Sequence, residues 1–362
     1  MGSPTFVDRD RPEHYLLDMT TLVDHARRGP HAVGVVSLSV GSPGPEDPER
    51  ELATEIWYPA ADPHSGTPAE HPLKRPHAAR QGAAPAEGIH PLVIFSHGNS
   101  GLRHQSTFLT THLASWGFVV AAPDHTGNTF FEMIQIRSEA ERQRVHFEAR
   151  HNRPADLSAV VARAVSGDPR WAAVDPARIG VAGHSYGGWT ALKLPGRDTR
   201  VRAVCGLAPA SEPFVGRKAF EPGELPFGGD VATLLIAGVD DVLVDLETSV
   251  RPLFGRLSAP RALVGIERAD HFHFCDGVEL LHGMHVANPR PNQPRPTRPY
   301  DRQLPEERMH RLLQASVTHF FSSILGEAGE ASLDAEALRA VDPALRLLAG
   351  DLRPESPADS AA

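Results

Sequence analysis

The sequence predicts an α/β protein with a mostly parallel central sheet and helices on both faces. Three observations carry that expectation. Short, continuous apolar runs bounded by turn residues recur between residues 90 and 268, as suits strands buried on both faces. Segments with helical spacing alternate with them, the pattern of a parallel sheet. The chain has 362 residues, 41% of them hydrophobic, enough to bury such a core within one domain.

Taken in order, residues 12–28 read as a helix, with Tyr15, Leu16, Met19, Leu22 and Val23 at helical spacing. "HAVGVVSLSV" (31–40) and "ELATEIWYPA" (51–60) read as strands, being rich in β-branched or aromatic residues that partly alternate. The Pro-, Gly-, Ala- and His-rich stretch 61–90 reads as a long exposed loop. "HPLVIFSHG" (90–98) and "GFVVAAPDH" (117–125) are expected buried strands, with a helix over 104–116 between them. Residues 130–150 form a charged helical excursion, and a separate helix is expected over 153–165 with Pro154 near its start. "ARIGVAGHS" (177–185) is a strand, and "YGGWTALKL" (186–194) is a helix stopped by Pro195 and Gly196. Three more strands are expected at 201–210, 231–239 and 260–268, then a long amphipathic helix at 305–325. Residues 1–325 read as a single domain with a Pro/Arg-rich insertion at 286–304. Residues 326–362 read as an extension with two weak helical stretches and a disordered end, "RPESPADSAA".

Composition narrows the function. The net charge is −9, which argues against the concentrated basic face of a nucleic-acid binder. Two cysteines, Cys205 and Cys275, make no disulfide framework and read as reduced thiols. The opening "MGSPTFVDRDRPEH" lacks the basic and apolar regions of a signal peptide. No apolar stretch reaches the length of a membrane span. The expectation is a soluble, cytoplasmic protein with no membrane span.

Active sites in parallel sheets lie at the carboxyl ends of strands, and the chemistry-bearing residues fall there. "VAGHSYGGWT" (181–190) ends a buried strand and opens a helix. Its serine, Ser185, is flanked by Gly183 and Gly187, which leave room for a sharp, strained turn that exposes the hydroxyl. Gly188 lets the following helix sit close to neighbouring strands. Such a serine needs a base, oriented by an acid. Strand 231–239 ends in "AGVDDVLVD", with Asp240 and Asp241 at its carboxyl end, and strand 260–268 leads to "ERADHFHFCD", with His271 and His273. Asp241 is favoured as acid over Asp240, a surface-turn carboxylate, and over Glu212 in "APASEPF". His271 is favoured as base because His273, two residues on in an extended segment, would face the other way. An oxyanion needs preorganised N–H donors. The expected pair is the backbone N–H of Tyr186, directly after the serine, and that of Asn99 in "SHGNSG" (96–101).

With these motifs in place, the chain resembles the serine branch of the α/β-hydrolase superfamily, in particular dienelactone-hydrolase-like, platelet-activating-factor acetylhydrolase-like and cutinase-like esterases. The resemblance rests on "EIWYPA", "PLVIFSHGNSG", "WGFVVAAPDHTGN", "NRPADL", "GHSYGG", "GVDDVLVD" and "ERADHFHF", and covers residues 30–325. It implies an α/β-hydrolase fold and a nucleophile, acid and base at Ser185, Asp241 and His271. It implies oxyanion donors at Asn99 and Tyr186, and no cofactor. The expected activity is hydrolysis of a small-molecule carboxylic ester through an acyl-enzyme. Two departures limit the transfer. Dienelactone hydrolases use a cysteine nucleophile. The acetylhydrolase group takes its acid from the end of the preceding strand, where Leu207–Pro209 offers no carboxylate. Other acyl bonds (amide, lactone), acyl transfer, and a non-catalytic binding protein on the same fold remain open at this point.

Further segments bear on specificity. Arg290, Arg295, Arg298 and Arg302 make the 286–304 insertion basic, and it reads either as a flap over the site or as a strap on the sheet edge. The 126–152 segment is a candidate cap on the opposite side. His271, His273, His282 and His285 match no strong metal-ligand spacing, and no metal is expected.

Overall fold

The computed structural model describes residues 24–351 apart from 46, 72–76, 213–216, 228–230, 259, 291–292 and 327–338. Its strands are β1 (Ala32–Gly41), β2 (Glu51–Ala60), β3 (Thr67–Pro68), β4 (Arg80–Gln81), β5 (His90–Ser96), β6 (Val119–Pro123), β7 (Val174–His184), β8 (Val201–Leu207), β9 (Ala232–Gly238), β10 (Arg261–Ile266) and β11 (Leu345–Asp351). The helices are α1 (Thr107–Ser115), α2 (Phe130–Met133), α3 (Glu139–Ala164), α4 (Tyr186–Lys193), α5 (Arg251–Gly255), α6 (Val278–Ala287) and α7 (Glu306–Leu325). All strands join one sheet in the order β11-β10-β9-β8-β7-β5-β6-β2-β1-β4-β3. From β6 through β10 neighbours run parallel. The β1–β2, β2–β6 and β10–β11 pairs are antiparallel.

The central strands alternate between two buried cores, because successive side chains leave a strand on opposite faces. Val93 and Phe95 of β5 join Leu109, Leu113, Phe320 and Phe321 from α1 and α7. Leu92 and Ile94, one residue out of step, join Leu157, Val160, Val161 and Trp189 from α3 and α4. Both faces are thus dry, and the strand ends are where polar chemistry remains.

Four elements differ from the sequence reading. Residues 130–165 hold the short α2 and a single long α3 that starts at Glu139 and runs through Pro154. Ser138 Oγ caps α3 by accepting from Glu141 N at 3.2 Å. Proline forfeits one backbone bond, but the buried side chains of Arg153, Asp156, Leu157 and Val160 hold the helix on both sides of it. The 61–90 segment is not simply an exposed loop. It contributes β3 and β4 to the sheet edge and buries His71, Ala79 and Ala83. Within the 326–362 extension, Leu345–Asp351 is a strand on β10, an element that the reading of two weak helical stretches did not include. Its leucine spacing fits either period, and the open edge of β10 supplies backbone partners that only a strand can use. Finally, His271–Phe274 forms a 3-10 turn, not an extended segment. The expected helix over 12–28 lies almost wholly outside the described residues, as does the end of the chain from 352.

Candidate active site

Ser185 sits between β7 and α4 with φ 56° and ψ −117°. That backbone conformation costs about 1–3 kcal/mol for a non-glycine residue, so its surroundings must enforce it. They do so by close approach. A Cβ on Gly187 would lie 1.9 Å from Ser96 O, and one on Gly183 would lie 2.2 Å from Gly187 O. On Gly188 it would lie 2.8 Å from Pro209 Cα. Backbone bonds then pin the turn to the end of β8. Ser185 N donates to Leu207 O at 2.9 Å, and Ala210 N donates to Ser185 O at 2.9 Å.

Asp241 and His271 come from the loops after β9 and β10 and meet directly. His271 Nδ1 donates to Asp241 Oδ2 at 2.8 Å, with both side chains buried. The carboxylate can only accept, so this contact puts the ring proton on Nδ1 and leaves Nε2 as a base. Asp241 Oδ1 is held by Leu243 N and Val244 N, each at 2.7 Å. Asp270 ties the two loops together, its Oδ1 accepting from Val242 N at 3.0 Å and His271 N at 2.6 Å. The His271 ring lies 4.6 Å from that of His184, the residue before Ser185. Among the described residues no hydrogen bond links Ser185 Oγ to His271. Such contacts are often loose without substrate and tighten in the complex.

The competing candidates are engaged elsewhere. Asp240 pairs with Arg298 at 2.9 Å, and Glu212 faces Arg256 at 3.6 Å. His273 is locked on both nitrogens: Nδ1 accepts from Asp270 N at 3.0 Å, and Nε2 donates to Leu304 O at 2.8 Å. The 3-10 turn turns it away from Asp241, so the alternation argument is replaced by these two bonds. His282 and His285 contact Gln303 and Gln293, both at 3.2 Å. His184 is fully buried; desolvation, then the neighbouring His271, hold it well below the ordinary imidazole value. It stays neutral, and its Nδ1 accepts from Gln105 Nε2 at 3.1 Å.

Asn99 lies in the turn after β5, and Tyr186 opens α4. One buried residue that sequence reasoning did not assign joins their surroundings: Arg153. Its guanidinium donates to Asn128 Oδ1 at 2.7 Å, Ser96 Oγ at 3.3 Å, Thr190 Oγ1 at 3.2 Å and the His97 carbonyl. It also lies 4.5 Å over the Tyr186 ring. Asn128 Nδ2 in turn donates to Asn99 Oδ1 at 2.9 Å. Burial lowers the Arg153 guanidinium to about 10, still charged at neutral pH. The network continues through His125, whose Nε2 accepts from Ser96 Oγ and whose Nδ1 donates to Asp156 Oδ2, both at 2.8 Å. Asp156 is neutralised by Arg50, one contact at 3.0 Å. A signal was present in "NRPADL". Arg153 and Asp156 sit at helical spacing with Leu157, Val160 and Ala164, so two charges interrupt the buried face of α3.

The described part of the 286–304 insertion is pinned to the loop after β9. Arg295 bonds the Val239 carbonyl and Asp245, and Arg298 holds Asp240. It straps the loop that carries Asp241. A small cavity of about 160 Å³ borders the Asn99 turn, lined by Ser100, Leu102, Phe130, Leu281 and Met284 among others. No helix among the described residues is long and apolar enough to cross a membrane.

The sheet order, with a strained serine at a strand-to-helix turn near a His–Asp pair, is that of the α/β-hydrolase superfamily. Comparison with known proteins gives the family: residues 86–288 match the PETase, or PET hydrolase-like, family, and the chain belongs to it. Among curated relatives it is 28% identical to Lipase 1 of Moraxella sp. (strain TA144), over 44% of this chain and 41% of that one. It is 27% identical to platelet-activating factor acetylhydrolase of Bos taurus, over 33% of this chain and 34% of that one. The chain thus spans well under half the length of these relatives. A solved structure described as ferulic acid esterase from Streptomyces cinnamoneus superposes with a TM-score of 0.66 at 24% identity. That match covers 90% of this chain and 98% of the other and supports the shared fold.

Proposed function

We propose that the protein hydrolyses carboxylic esters through an acyl-enzyme. Ser185 Oγ attacks the acyl carbon while His271 Nε2 takes its proton, and Asp241 holds the ring and stabilises the imidazolium. The backbone N–H groups of Asn99 and Tyr186 receive the oxyanion. Collapse of the tetrahedral intermediate breaks the ester C–O bond, and His271 returns its proton to the leaving alkoxide. Water activated by the same base then releases the acid and regenerates Ser185.

The observation that carries this reading is the buried 2.8 Å bond from His271 Nδ1 to Asp241, because it leaves Nε2 available as base beside a strained serine. The esterase and lipase relatives support the ester as substrate class. The experiment is hydrolysis of p-nitrophenyl esters of graded acyl length by the wild type and Ser185→Ala. Loss of activity with an unchanged unfolding transition supports the mechanism; retained activity in Ser185→Ala overturns it.

A further inference from the structure

The Asn99 turn and the serine turn are joined by a side chain that belongs to neither. Gln105 lies on the segment between the Asn99 turn and α1. Its Oε1 accepts from Gly98 N at 2.8 Å, and its Nε2 donates to His184 Nδ1 at 3.1 Å. Gly98 directly precedes Asn99, and His184 directly precedes Ser185. One planar amide therefore sets the separation of the two turns. It can do so because a side-chain amide carries a donor and an acceptor side by side.

The amide is itself held in place. A Cβ on Gly101 would lie 2.6 Å from Gln105 Oε1 and 2.9 Å from His97 Nδ1, so the side chain fills a space that glycine leaves open. Asp276 N donates to Gln105 O at 2.7 Å, and Ser106 Oγ donates to Phe274 O at 2.7 Å. These bonds fasten the backbone here to the segment that follows His271. Residue 105 thus touches the Asn99 turn, the strand end before Ser185 and the chain beyond His271.

The contact with His184 also fixes a tautomer. An amide N–H can only donate, so Nδ1 is the accepting nitrogen and the ring proton sits on Nε2. Cys275 Sγ lies 3.7 Å from the same Nδ1. Burial, then Asp276 and Glu306, raise this cysteine and keep it a thiol, whose S–H is a weak donor to the same nitrogen. The His184 ring lies 4.6 Å from the His271 ring and 5.4 Å from that of Phe274. A neutral ring there leaves an imidazolium on His271 unopposed, whereas a charged one at that distance would repel it.

We propose that Gln105 is a positioning residue for the ester reaction: its amide registers the oxyanion turn against the serine turn and keeps His184 neutral, with its proton on Nε2, beside the base. This role rests on the ester chemistry proposed above.

The test is steady-state hydrolysis of p-nitrophenyl acetate by the wild type, Gln105→Met and Ser185→Ala, with rates taken per folded molecule below the unfolding transition. Methionine keeps the length and apolar contact but removes both hydrogen bonds. In Gln105→Met, kcat should fall about 10- to 100-fold, as expected for reacting groups displaced by a fraction of an ångström, with KM within about threefold. If that variant does not fold, Gln105→Asn replaces it, with the same expectation, because the shorter amide cannot reach both turns. A ¹⁵N spectrum of histidine-labelled wild type at pH 7, assigned with His184→Gln, should show His184 neutral and protonated on Nε2. A purely structural role would lower the unfolding midpoint and leave kcat unchanged, and that result overturns the proposal. So does a His184 that is charged or protonated on Nδ1 in the wild type. A wild type that hydrolyses no ester, or a Ser185→Ala variant that retains hydrolysis, refutes the ester reading and this role with it. Unchanged kcat in the Gln105 variants of an active, Ser185-dependent enzyme refutes the role of Gln105 alone.

Discussion

Replacing Arg153 with methionine tests the buried network that frames the Asn99 turn. Methionine keeps much of the length and apolar contact but removes every donor. The His97 carbonyl and Asn128 Oδ1, bonded to Arg153 in the native protein, would be left buried without that partner. Each orphaned acceptor costs about 1–3 kcal/mol, so two cost about 2–6 kcal/mol. Loss of the cation over the Tyr186 ring adds up to about 2 kcal/mol in a desolvated setting. Against this stands relief of the desolvation that pulls the guanidinium down to about 10. The net expectation is a destabilisation of about 2–5 kcal/mol, read from urea unfolding midpoints at constant m. Because Asn128 also holds Asn99, kcat on p-nitrophenyl acetate should fall with little change in KM. Arg153→Lys should recover part of the stability but less of kcat, since an ammonium cannot span four partners in one plane. A methionine variant within about 0.5 kcal/mol of wild type and unchanged in kcat would refute the reasoning.

Asp241→Asn should lower kcat by about 10⁴ through loss of the correct ring tautomer, whereas Asp240→Asn should stay within about threefold, since Asp240 faces Arg298; steady-state kinetics on one ester separates the two. Gly187→Ala should cost about 3 kcal/mol or more, or abolish folding, because the new Cβ would meet backbone at 1.9 Å; a folded variant with an unchanged unfolding midpoint would contradict this. Stability should also fall on mild acidification. His97, His125 and His184 are held well below the ordinary imidazole range, in each case chiefly by burial. Above about pH 6.5 neither state binds these protons. Below it the unfolded chain takes them up first, costing up to about 1.4 kcal/mol per pH unit per ring. Urea midpoints that do not change between about pH 7.5 and 5.5 would count against neutral burial of the three rings.

The sequence by itself determined the alternation of apolar runs and helices, and so a parallel sheet with dry faces. It also showed where Ser185, Asp241 and His271 fall, because strand ends are visible as the places where an apolar run meets Gly, Ser, Asp or His. Local rules went that far because strand burial and the glycine-flanked serine turn are properties of a few consecutive residues. That Asp241 bonds His271, while Asp240 and His273 face other partners, was not local. It depended on a 3-10 turn after β10, on Asp270 bridging two loops, and on Arg298 reaching back from the insertion. Arg153 and Asp156 looked like charges on a helix; their partners come from the connection between β1 and β2, from β5 and from the loop after β6, segments up to 114 residues apart in sequence. Likewise "LRLLAGD" has no preference of its own strong enough to choose strand over helix, and the unpaired edge of β10 chose for it. Periodicity decides which face of an element is buried. Only the packed chain decides which buried polar groups meet there, since a charge is tolerated inside only where distant segments supply its partners.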